Sequence, residues 1–385
     1  MTAVLHGGPP ARRRVSLAAV VCGITMLAGC TGDTGPIKIG VTGNFQDVNI
    51  EPMREGARLA VEEINARGGV NGRPLELVER DDWENPDSAV AVATDLYNSG
   101  VVAVIGHGFS GLTLAAAPVY NGGPNPVLQI SPTASAPAVS DAGPYTFRMC
   151  PSDQAHGGAL ARWARDGLGF RRGAVLYGND DYGRGVRRAF TEEFGALGGD
   201  VVEVDPYLGS PPEVGPYIER LASRRRAQFL VVAGYLDEAE HILRSARAKG
   251  VTIPIMGGDG LERIERMGAI AEGTYVTAAY LSLIDTPKNR QFVARWSQRY
   301  PGKAAPNLAA AATYDAVYMI SGVVGEVGTE RAAVRDEVAQ IGNSRPAFEG
   351  VIGTVAFDQN GDVTIPNIFV SRVHDGEVEL AGGGQ

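Results

Sequence analysis

The chain has 385 residues, 44% of them hydrophobic, with 44 acidic side chains against 35 basic ones and a formal net charge of −9. That length suits two domains better than one, and the acidic balance argues against nucleic acid as a partner. The cysteines, Cys22, Cys30 and Cys150, are too few and too scattered for a disulfide framework or a cysteine metal site.

The N-terminus has the layout of a processing segment. A basic patch, Arg12 to Arg14, precedes an apolar run from Val15 to Met26 that is short for a membrane span. The run ends in Leu27-Ala28-Gly29-Cys30, which looks like a bacterial lipobox. Residues 1–29 are therefore expected to be a lipoprotein signal peptide and Cys30 the lipidated residue that follows it. The alternative is an ordinary signal peptide with Cys30 incidental. Residues 30–36, small and polar, form a tether. No later segment is expected to reach the length of a transmembrane helix.

From Ile37 onward, short strands alternate with helices. "IKIGV" and "LELVE" are strands, and between them Met53, Ala57, Ala60, Val61 and Ile64 mark one face of a helix that stops at Gly68-Gly69. A helix from about Ser88 to Asn98 leads into "VVAVIG", a further helix follows, and "PVLQIS" is the next strand. After Cys150 the alternation restarts: "GAVLY", a helix over Val186 to Leu197, "DVVEV", a helix to Arg226, "FLVVAG", a helix over Glu238 to Lys249, and "IPIMGG". Arg224 to Arg226 form a solvated helix end. Two such runs predict an α/β protein with two doubly wound parallel-sheet lobes.

The loop Gly106-His107-Gly108-Phe109-Ser110-Gly111 resembles two enzyme motifs. It spells G-x-G-x-x-G, but a dinucleotide turn belongs after the first strand and needs an acid about twenty residues on. Here it follows the third strand, and "SPTAS" stands at the distant position. It also falls one glycine short of a G-x-S-x-G nucleophile elbow, because Leu112 takes the last place. His107, His156, His241 and His374 sit in settings that read as loop or solvent-facing helix, without a triad signature. What the loop does offer is a helix N-terminus at the carboxyl end of a parallel strand, where free N–H groups attract an anion. Ser110 just before that helix is either its N-cap or an anion ligand.

Beyond this loop, "GARLAVEEINARGGVNGRPLELVERDDWENP", "VIGHGFS", "ISPTASAP", "YTFRMCPSDQAHG", "DDYGRG", "GYLDEAEHILRSARAKG" with "IMGGDG", "TYDAVYMI" and "FEGVIGTVAFDQNGD" follow one another in order. Together they resemble the leucine/isoleucine/valine-type, or type I Venus-flytrap, periplasmic binding proteins of ABC importers. The resemblance covers nearly the whole chain after the leader.

It implies the type I fold with three hinge crossings, near Cys150–Asp153, Ala278–Leu281 and Ala356–Gln359. The lobes would then be 37–151 with 281–355, and 152–280 with 356–385. It also implies a set of ligand residues. Ser110 binds a carboxylate through its hydroxyl and N–H; Thr133 offers a carbonyl and Ser135 a hydroxyl. Tyr182 and Tyr235 cover the ligand, and Asp259 pairs with its ammonium. One at a time, Tyr182 and Tyr235 could be packing residues and Asp259 a helix cap. As a set they describe a clamped α-amino acid.

Two departures matter. The family often joins the two loops that here carry Glu84 and Phe109 by a disulfide; neither is cysteine, so packing is expected to hold that loop. Asn49, in the pocket-shaping position, and Asp47 favour a polar side chain over a branched aliphatic one. Gly257-Gly258 is expected to let the backbone approach the ligand.

The resemblance implies binding rather than catalysis, with no cofactor and no metal. It implies a small amino-acid ligand, a membrane permease as partner, and an extracytoplasmic location with a lipid anchor on Cys30. The competing reading keeps the fold but makes it a sensor for an amide, urea or similar small polar solute. A hydrolase built on Ser110 is the third.

Overall fold

The computed structural model describes residues 1–8, 35–209, 211–224, 226–364 and 368–383. Cys30 and most of the expected leader and tether lie outside them, as does Arg225.

The described residues from 35 onward build two large sheets and one two-stranded hairpin. The first comprises β1 (Ile37–Gly43), β2 (Leu75–Asp81), β3 (Ala103–Ile105), β4 (Leu128–Ser131) and β5 (Thr146–Arg148), in the order β2-β1-β3-β4-β5 with every pairing parallel. It is crossed by α1 (Glu51–Ala66), α2 (Pro86–Asn98) and α3 (Ser110–Asn121). The five residues expected on one face of α1 are all buried. β3 is buried at every position, the pattern of a strand covered on both faces.

The second sheet has the order β14-β13-β10-β9-β8-β6-β7. Its parallel part contains β6 (Arg172–Gly178), β7 (Asp200–Tyr207), β8 (Phe229–Ala233), β9 (Ile255–Gly257) and β10 (Tyr275–Ala278). The helices α4 (Asp153–Arg162), α5 (Asp181–Ala196), α6 (Gly215–Arg224) and α7 (Leu236–Ala248) belong to this run. It departs from an all-parallel sheet at one edge, where β13 (Phe369–His374) and β14 (Glu377–Gly383) form an antiparallel hairpin against β10.

Between β10 and β13 the chain returns to the first core through α8 (Pro287–Arg299), α9 (Leu308–Val327), α10 (Arg331–Val338) and the short hairpin β11 (Phe348–Glu349) and β12 (Thr354–Val355). The chain thus passes between the two cores after β5, after β10 and between β12 and β13.

Helix α9 corrects the expectation about length. It runs for 20 residues with a mean hydropathy of 1.3, enough to cross a membrane by length and composition, yet 83% of that stretch is buried. It is the central helix of the first lobe, apolar nearly all round because its neighbours cover it on most sides. α1 packs on it at Gly56, where a Cβ would overlap the Ala310 carbonyl.

Two of the four histidines also differ from expectation: His107 and His156 are fully buried. Arg224 is not merely solvated, since it pairs with Glu203 on β7 at 3.1 Å.

Candidate functional site

Loops at the carboxyl ends of both sheets converge on one cavity of about 50 Å³. This is where an open parallel sheet places a ligand. From the first lobe come Asp47, Asn49 and Ile50 after β1, Gly108 to Ser110 after β3, Thr133 after β4, and Leu308 at the start of α9. From the second come Tyr182 on α5, Tyr235 and Leu236 entering α7, and Asp259, Gly260 and Glu262 after β9.

The loop after β3 is braced from beneath. Ser131 Oγ donates to the His107 carbonyl at 2.6 Å, and Thr133 Oγ1 donates to the Gly108 carbonyl at 2.6 Å. Phe109, not Ser110, is the N-cap of α3; Ser110 is its first helical residue, and its hydroxyl accepts from Ala136 N at 3.2 Å. The N-cap alternative therefore fails, while Ser110, in a first turn whose N–H groups have no intrahelical partner, lines the cavity.

The loop is tied laterally as well. His107 Nδ1 lies 2.7 Å from Asp82 Oδ2, with both side chains fully buried. A buried side-chain hydrogen bond thus joins the two loops where packing alone was expected. Glu84 instead accepts from Asn44 Nδ2, and Phe109 stands edge-on to Tyr235 with ring centroids 4.9 Å apart. His107 directs its other nitrogen toward Tyr120 at 3.5 Å, so neither nitrogen serves Ser110 as a base.

On the second lobe, Tyr182 Oη donates to Asp259 Oδ1 at 2.9 Å and accepts from Gly260 N at 2.8 Å. The Tyr182 and Tyr235 rings stack at 4.9 Å. Burial, then the charge on Asp259, pushes the Tyr182 hydroxyl well above the usual tyrosine range, which keeps it a neutral donor. Tyr235 caps α7, with its N–H held by Glu238 at 2.8 Å. Gly258 makes room for Tyr182 and Gly257 for Leu261, so the pair serves packing rather than an approach to ligand.

Asn49 reaches across the cleft, donating through Nδ2 to the Glu262 carbonyl at 3.0 Å. Burial raises the carboxyl groups of Asp47 and Glu262, the latter to about 7.

Of the residues expected to bind ligand, Ser110, Thr133, Tyr182, Tyr235 and Asp259 share this cavity, with Asn49 beside them. Ser135 does not reach its wall. It is fully buried, and its carbonyl accepts from Asp153 N at 2.8 Å and Arg148 Nη1 at 2.9 Å. Glu262, Ile50, Leu236 and Leu308 line the wall without having been singled out. They flank the named motifs but carry no residue-type signal of their own.

The wall thus holds the start of a helix, hydroxyls and the Asp47 carboxylate on one lobe, the Asp259 and Glu262 carboxylates on the other, and aromatic rings between them. It suits a small molecule carrying both a carboxylate and an amine.

A family profile described as periplasmic binding protein matches residues 36–377. The leucine-specific-binding protein of Salmonella typhimurium is 30% identical over 67% of this chain and 71% of its own length. Among solved structures, the branched-chain amino acid transporter substrate-binding protein of Streptococcus pneumoniae, in complex with isoleucine, superposes with a TM-score of 0.81. That match has 25% identity over 91% of this chain and 99% of the other. An ABC transporter substrate-binding protein of Desulfitobacterium hafniense, in complex with Leu, gives 0.77 at 28% identity over 90% and 99%.

Proposed function

This chain belongs to the periplasmic binding protein family, and we propose that it captures a small amino acid, branched-chain or polar, in the interlobe cavity and delivers it to an ABC transporter permease. The observation that carries the reading is the opposition of Ser110 at the start of α3 to Asp259 on the facing lobe, within one cavity. The α-carboxylate docks on the α3 N-terminus with the Ser110 hydroxyl, and Thr133 offers its carbonyl to the amine. The ammonium faces Asp259, and Tyr182 and Tyr235 cover the ligand.

Only the closed arrangement supplies contacts from both lobes, so ligand shifts the open–closed equilibrium toward closure. The permease then recognises the closed form. The lobes move as 37–151 with 281–355 against 152–280 with 356–385. No chemistry is performed on the ligand. The protein works outside the cytoplasm, tethered through a lipid on Cys30.

A second reading, a sensor for an amide or urea, draws on the wall's carboxylates: Asp47, Asp259 and Glu262 accept N–H groups from a neutral amide as well. A thermal-shift screen of the twenty L-amino acids, acetamide and urea separates the two. Stabilisation by an amino acid supports the transport reading; stabilisation by acetamide or urea alone replaces it.

A further inference from the structure

We propose that one corner of the cavity, built by Asp47, Asn49 and Glu262, selects an amino acid whose side chain ends in a short second amine, a diamino acid. The inference rests on the amino-acid reading and deepens it; the α-ammonium stays with Asp259.

The three residues all line the cavity and are tied to one another by hydrogen bonds. Asp47 Oδ1 accepts from Asn49 N at 2.8 Å and from Ile50 N at 3.0 Å, within the turn that enters α1. Asn49 Nδ2 donates to the Glu262 carbonyl at 3.0 Å. That bond fixes the orientation of the amide, because the flipped amide sets two acceptor oxygens against each other. Asn49 Oδ1 is then left buried with no hydrogen-bond partner. A buried acceptor without a donor is costly, and a donor carried by the ligand removes that cost.

The side chains of this corner have only acceptors left to offer. Asn49 has spent its donor group, and its two companions are carboxylates. Among the described residues that line the cavity none is lysine, arginine or histidine, while Asp47, Asp259 and Glu262 are all acids. Arg263 follows Glu262 in the chain, but it donates to the Ala305 carbonyl at 3.3 Å and is not part of the wall. A simple zwitterion brings its own carboxylate with its ammonium, so its charges cancel. A second ammonium makes the ligand a net cation and adds three donors with no acceptor.

Ile50, Leu236 and Leu308 also line the cavity and suit the methylenes of a short chain. An aliphatic side chain leaves Asn49 Oδ1 unpaired, and a side-chain carboxylate meets like charge. Asp47 and Asn49 stand on the first lobe and Glu262 on the second, so the acceptor set is complete only when the lobes are closed. The side chain is therefore read at closure rather than at first docking.

The test is calorimetry at pH 7.5, above the value of about 7 to which burial raises the Glu262 carboxyl. The ligands are L-2,4-diaminobutyrate, L-homoserine and L-norvaline, which share one chain length and end in ammonium, hydroxyl and methyl, together with L-leucine. The proteins are the wild type, Asp47→Asn, Glu262→Gln and Asn49→Ala. We expect the wild type to bind diaminobutyrate about tenfold or more tightly than norvaline or leucine, with homoserine between. Asp47→Asn and Glu262→Gln keep the shape of the wall and should narrow that ratio severalfold without weakening norvaline. Asn49→Ala also loses the bond between the lobes and weakens every ligand, so its readout is the ratio alone; if it fails to fold, the two isosteric variants decide.

A wild type that prefers norvaline or leucine, or holds all four ligands alike, overturns the inference and leaves the amino-acid reading standing. An unchanged ratio in a folded variant overturns the role of that residue. A folded wild type that binds none of these ligands and none of the twenty amino acids overturns the amino-acid reading and this inference with it.

Discussion

His107 Nδ1 and Asp82 Oδ2 stand 2.7 Å apart in a site closed to solvent, so the loop that presents Ser110 is anchored to the loop after β2 by a buried side-chain hydrogen bond. Removing one member leaves the other without its partner in a dry environment, which typically costs about 1–3 kcal/mol. Asp82→Ala should therefore lower the denaturation midpoint sharply, as followed by circular dichroism. It should also weaken ligand binding in the fraction that remains folded, because Ser110 lies three residues from His107. A small change in midpoint would mean the pair is not a structural anchor.

Tyr182 acts through Asp259. Its hydroxyl both donates to the carboxylate and accepts from Gly260 N, which fixes the acid's orientation. Tyr182→Phe keeps the ring stack on Tyr235 but leaves Asp259 and Gly260 each short of a partner. A charge-assisted hydrogen bond of this kind is worth about 1.5–3 kcal/mol. Amino-acid affinity should fall by about tenfold or more, mainly through faster dissociation in a stopped-flow measurement.

Stability should depend on pH through two buried acids. Burial raises Glu262 and Asp315 to about 7, above their ordinary values of 4.5 and 3.8. The folded state then holds more protons than the unfolded chain between those limits, so stability falls as pH rises through this window and levels off above about 7. Melting temperature should be higher at pH 5.5 than at pH 7.5. Glu262→Gln should reduce the difference; an unchanged pH dependence in that variant would count against the burial of this carboxyl.

The α1–α9 crossing depends on Gly56. A methyl group there overlaps the Ala310 carbonyl, and backbone cannot yield as a side-chain tip can. Gly56→Ala should destabilise by about 1–3 kcal/mol despite its better helix propensity, read as a lower urea midpoint with little change in slope. A stabilised variant would show that the two helices are free to separate.

Much of this was legible along the chain because it is local. The spacing of Met53, Ala57, Ala60, Val61 and Ile64 marks the buried face of α1, and the continuous run of β8 marks a strand covered on both sides. The loop motifs likewise located five of the six expected ligand residues on one cavity wall. What escaped was set by distant parts of the chain. Ser135 lies in the right loop, but its fixed carbonyl, bonded to Asp153 and Arg148, seats it behind the wall. His107 and His156 read as loop and helix-surface residues until Asp82 and Thr277 supply their buried partners. Tyr314, Asp315 and Ser321 interrupt the apolar run of α9 enough to hide its length.

The central claim is that a zwitterion is held between the start of α3 and Asp259. Its most direct test is a calorimetric titration of the wild type and Asp259→Ala with the amino acid that the thermal-shift screen selects. The account predicts a saturable one-to-one isotherm for the wild type and no measurable binding for the variant, with both proteins equally folded. Equal affinity in the two would show that the ligand's amine is not paired with Asp259, and would contradict the account.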